Sequence, residues 1–88
     1  MIEVERFKRE LKSLNVKDRR MYHRGILMFI RQFDPATDEK ARILWNLAQL
    51  GHIVLWQKRD DEGVMCYWYA VMRKLNRPRI EEAERLVQ

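Results

Sequence analysis

Glu39, Arg42, Asn46 and Gln49 recur at spacings of three and four, so on a helix they share one face, with Lys40 beside them. Arginine, asparagine and glutamine carry the paired donors and acceptors that read base edges in a DNA groove. A solvated helix face of any kind shows the same polar stripe, so the stripe acquires meaning only from its surroundings. The other reactive side chains converge on no chemistry. His23 and His52 have no cysteine, histidine or carboxylate at a metal-ligand spacing, so no metal site is expected. Ser13, the sole serine, sits on a polar helix face, and no glycine-rich phosphate loop is present. Asp60, Asp61 and Glu62 read as a charged turn. No set of residues supports acid–base catalysis, and neither an enzyme nor a cofactor is expected.

The chain has 88 residues, which is one domain, 1–88, with a modest core and little room for a substrate pocket. Nine aromatic side chains, among them Trp45, Trp56, Trp68, Phe7, Phe29 and Phe33, supply the bulk for that core. The lone Cys66 excludes an intramolecular disulfide and reads as a small apolar strand residue. It fits a reducing, cytoplasmic compartment. No stretch approaches the roughly 18 apolar residues of a membrane span. Residues 1–6 lack the basic start and apolar run of a signal peptide.

The net charge of +5 suits a polyanionic partner. Its distribution is uneven. Residues 1–33 hold nine basic and four acidic groups, and residues 73–88 hold five and three. Residues 34–52 and 53–72 each hold two and three. The positive charge therefore sits at the two ends of the sequence.

The hydrophobic period places these residues on elements. Val4, Phe7, Leu11 and Leu14 make one stripe of a helix over residues 2–14, which Asn15 can end in the left-handed conformation. Asp18 is a fitting cap for a second helix reaching Phe33, with Tyr22, Ile26, Phe29, Ile30 and Phe33 as its buried stripe. Asp34-Pro35 breaks that pattern. Thr37 then caps a third helix, with Asp38 and Glu39 in its first turn and Gly51 past its end. Residues 53–59 and 64–72 are rich in strand formers, and Asp60-Asp61-Glu62-Gly63 joins them as a hairpin. Pro78 opens a last helix. Both hairpin faces are apolar. The last helix is expected to cover the face that the first helices leave open, with a homodimer as the alternative.

The order helix, helix, helix, hairpin, helix, with Ala41, Leu44, Leu47, Leu50, Gly51, Ile53 and Val54, then Gly63 and Tyr67-Trp68-Tyr69, resembles the winged helix-turn-helix superfamily. The segment from Thr37 to Tyr69 is also similar to small bacterial pilus phase-variation coregulators, on Thr37-Asp38, Ala41-Arg42, Gly51, Val54 and the aromatic triplet. The resemblance implies an α+β fold: a three-helix bundle, a β-hairpin wing and a C-terminal helix. It implies a small accessory transcriptional regulator, bacterial or phage-encoded, that binds double-stranded DNA. The third helix would present Lys40, Arg42, Asn46 and Gln49 to the groove. Lys17, Arg19, Arg20, Arg24, Lys58 and Arg59 would contact phosphate. The acidic wing tip opposes this, because phosphate contacts carry most of the affinity. A protein-interaction module on the same fold, such as an adaptor or a phage-encoded modulator of a host protein, is the alternative.

Overall fold

Polar caps and glycines delimit most of the elements. The computed structural model describes residues 1–86. Four helices and three strands follow in the order α1 (Ile2–Ser13), β1 (Arg19–Arg24), α2 (Leu27–Arg31), α3 (Pro35–Gln49), β2 (Ile53–Arg59), β3 (Met65–Val71) and α4 (Arg77–Arg85). The result is an α+β, winged-helix-like arrangement. The three strands form one antiparallel sheet in the order β1-β3-β2.

The helix expected from Asp18 to Phe33 does not form. Asp18 instead closes a turn, accepting the Asn15 N–H at 2.8 Å, and the left-handed residue is Lys17 (φ 76°) rather than Asn15. Leu14 ends α1 in an extended conformation. Residues 19–24 then pair with β3, which would otherwise expose an unpaired edge. The register slips between Met21 and His23, a bulge that accommodates Tyr22. The Tyr22 ring lies 6.1 Å from both Tyr67 and Tyr69. Gly25, at φ 116°, ends the strand in a conformation closed to side-chain-bearing residues. What remains of the expected helix is the five-residue α2.

The α3 start also differs from expectation. Asp34, not Thr37, is the cap: its carboxylate accepts the Ala36 N–H at 3.2 Å and the Thr37 hydroxyl at 2.7 Å, with Pro35 in the first turn. Gly51 (φ 81°) and Gly63 (φ 78°) occupy left-handed positions past α3 and in the hairpin turn, as the sequence predicts.

The core joins all the layers. Val4, Phe7, Leu11 and Leu14 meet Ile43, Leu44 and Leu47 of α3, Tyr69 and Val71 of β3, and Ile80 and Ala83 of α4. Phe7 and Tyr69 meet edge to face at 6.4 Å. The Lys8 ammonium, paired with Glu84, ties α1 to α4. α4 lies along α3 and not over the outer face of the sheet, which corrects the expected cover. Met21 and Val54 on that face stay 47% and 43% exposed.

Candidate interaction surface

The third-helix stripe does not form one free reading face. Asn46 Nδ2 donates to the Ala83 carbonyl at 2.8 Å, so this amide fastens α4 to α3. Lys40 turns toward α1, its Nζ 5.9 Å from the centre of the Phe7 ring. The Arg42 guanidinium lies 3.1 Å from the Asp38 carboxylate, which also takes Arg31 at 2.7 Å. Gln49 is exposed.

The proposed phosphate contacts are scattered. Lys17, Arg19, Lys58 and Arg59 are exposed, and Arg20 stands 3.8 Å from Glu10. Arg24 reaches across to the hairpin tip, 2.7 Å from Asp60 and 3.3 Å from Glu62. The wing's acidity is thereby partly neutralised from within. Backbone hydrogen bonds from Val64 and Glu62, and the one from Arg24, hold the Asp60 carboxyl below its usual range. The tip is a closed polar knot, with Asp60 Oδ1 accepting from the Glu62 and Val64 amides at 2.9 Å each.

The more pronounced feature is apolar. An open cleft of about 810 Å³ lies between α2, α3 and the sheet. Leu27 and Arg31 of α2 form one wall. Arg42 and Trp45 of α3 form another, and Leu55 and Tyr67 of the sheet make the floor. Trp45 is 60% exposed, although it falls in a run of three apolar residues that sequence alone assigns to the core. Three successive helical residues span about 200° of a helix, and only Ile43 and Leu44 fit the inward side. The outer side of α2 is apolar as well. Ile26, Met28, Phe29 and Phe33 are 72%, 78%, 57% and 69% exposed. The Phe29 and Phe33 rings lie 5.0 Å apart. Three of these four were expected to be buried. The loss of the long helix turned them out to solvent.

Both histidines lie in closed surroundings. His52 follows Gly51 and is buried, and His23 is half-buried, facing Tyr67 at 6.0 Å. His52 Nδ1 and His23 Nε2 have no hydrogen-bond partner among the described residues. Burial lowers the affinity of both rings for a proton, and Arg79 and Arg73 lower that of His52 further.

Among the described residues no helix is long and apolar enough to cross a membrane. Comparisons with known protein families, with curated proteins and with solved structures found no match to this chain.

Proposed function

We propose that this chain is a non-catalytic protein-interaction module on a winged-helix-like fold, and that it receives an amphipathic helix of a partner protein in the α2–α3–hairpin cleft. The observation that carries this reading is the cleft itself, with an apolar floor and Trp45, 60% exposed, in its wall; Met28, Phe29 and Phe33 stand exposed on and just after α2, whose Leu27 and Arg31 line the cleft. A small domain that leaves such large apolar side chains in water gains by covering them. The cleft falls within the usual size range of binding sites, about 300–1,000 Å³. Its apolar floor suits the i, i+3, i+4 side chains of a docked helix. Arg31 and Arg42 at its rim share the single Asp38 carboxylate, so the rim keeps a positive excess that favours acidic flanks on the partner.

The test is co-purification from cells that express the protein, comparing the wild-type chain with Trp45→Glu. A partner retained by the wild type and lost from the folded variant supports the reading. Identical retention by both, or no partner for either, contradicts it.

A second reading is an accessory transcriptional regulator that binds duplex DNA. Exposed Lys17, Arg19, Lys58 and Arg59 on a chain of net charge +5 favour it. With Asn46 and Lys40 turned elsewhere, base reading would fall to Arg42 and Gln49, and most affinity would come from phosphate. Anisotropy of a labelled duplex across a salt series tests this. Affinity that falls with a slope of about −0.9 per phosphate contacted supports it. No binding at low salt removes it.

A further inference from the structure

The sheet has a second face, of whose residues only Trp56 also borders the cleft. Directly paired residues share a face, which defines three cross-strand rows on the outer side. Arg19, Ala70 and Val54 form the first row, Met21, Trp68 and Trp56 the second, and Arg24, Cys66 and Lys58 the third. The Trp56 and Trp68 rings stack across the strands, 6.2 Å apart and 9° from parallel. None of the nine residues is acidic. Arg24 is bound to Asp60 and Glu62 at the hairpin tip, while among the described residues neither Arg19 nor Lys58 forms an ion pair. These two cations bracket the indole pair from opposite edges of the sheet, four residue steps or about 13 Å apart along the strands.

We infer that this outer face binds single-stranded nucleic acid, with bases stacking on the Trp56–Trp68 platform and phosphates meeting Arg19 and Lys58. An indole offers a π-face to any base, and stacking tolerates sequence. Arg19 and Lys58, with no ion pair among the described residues, complement a phosphate chain; the Asp60 carboxylate, 3.9 Å from Cys66 Sγ in the Lys58 row, is engaged by Arg24. The same charge argues against a second copy of this chain as the cover, because face-to-face packing would bring two basic surfaces together. A duplex keeps its bases stacked inside and offers this flat platform only its backbone. The site shares only Trp56 with the lining of the helix-binding cleft and does not rest on that reading.

Fluorescence anisotropy of short labelled oligothymidine and oligouridine, beside a duplex of equal length, tests the inference. Both single strands are expected to bind better than the duplex, with a salt slope of about −0.7 for each phosphate neutralised. The double variant Arg19→Gln/Lys58→Gln alters only exposed side chains, so its fold is secure. It is expected to lose at least ten-fold in affinity and to flatten the salt dependence. Trp56→Leu is expected to lose five-fold or more, the lower end of one base stack of about 1–3 kcal/mol. Preference between the two oligomers assigns the strand as DNA or RNA. Trp45→Glu should bind as the wild type does, which separates this site from the cleft. Absence of binding at low salt, equal binding of duplex, or wild-type affinity in the Arg19/Lys58 variant would overturn the inference. A stable dimer that protects Trp56 from quenching would assign the face to a second copy and overturn it as well.

Discussion

His52 and Asn46 show how a single side chain can be taken from one role by its neighbours. An isolated imidazole titrates near pH 6.5, but burial opposes the charged form of both His52 and His23. The folded chain then binds fewer protons than the unfolded chain as pH falls past that value, so acid favours unfolding. Stability is full above the unfolded value and is lost progressively below it. The melting temperature is expected to drop between about pH 7.5 and pH 5, and His52→Gln to shrink that drop. A pH-independent melting curve for the wild type would contradict the burial argument. Asn46 looks like a base-reading amide in sequence, yet its Nδ2 closes a bond to Ala83. Asn46→Ala is expected to cost about 1 kcal/mol in a urea titration. It should leave any duplex affinity unchanged; a variant of full stability and reduced duplex binding would return this residue to the groove.

At the scale of elements, caps and glycines decide what was legible. Gly51 and Gly63 announced the ends of α3 and of the hairpin loop because their left-handed geometry excludes other residues. Gly51→Ala is expected to cost about 1–2 kcal/mol from backbone strain alone, since a Cβ there meets no atom within 4 Å. Asp34→Ala is expected to cost about 1 kcal/mol, while Thr37→Val, which keeps the Ala36 bond, should cost less. The reverse order of effects in a denaturant titration would restore Thr37 as the cap. β1 was not legible. Tyr22, Ile26, Phe29, Ile30 and Phe33 fall at helical spacings, and local pattern cannot register that β3 needs a partner on its second edge. The cleft was hidden for the same reason. Its walls come from α2, α3 and the hairpin, and its apolar residues count as core until the long helix is replaced by a strand and one short turn.

For the whole molecule, charge and apolar exposure point to different partners on different faces. The excess positive charge that composition assigns to a polyanion lies outside α3, which carries two basic and two acidic groups within Pro35–Gln49. The exposed aromatic side chains instead are Phe29 and Phe33, on and just after α2, and Trp45 in the cleft wall. This separation is why the protein-interaction reading ranks above a groove-reading regulator. The most direct measurement is site-specific photo-cross-linking in expressing cells, with a photoreactive phenylalanine at position 45 and a control at Ser13. A discrete adduct is expected from position 45, destroyed by protease, resistant to nuclease and missing from the control. A nuclease-sensitive adduct at position 45, or none there, would contradict the protein-interaction reading.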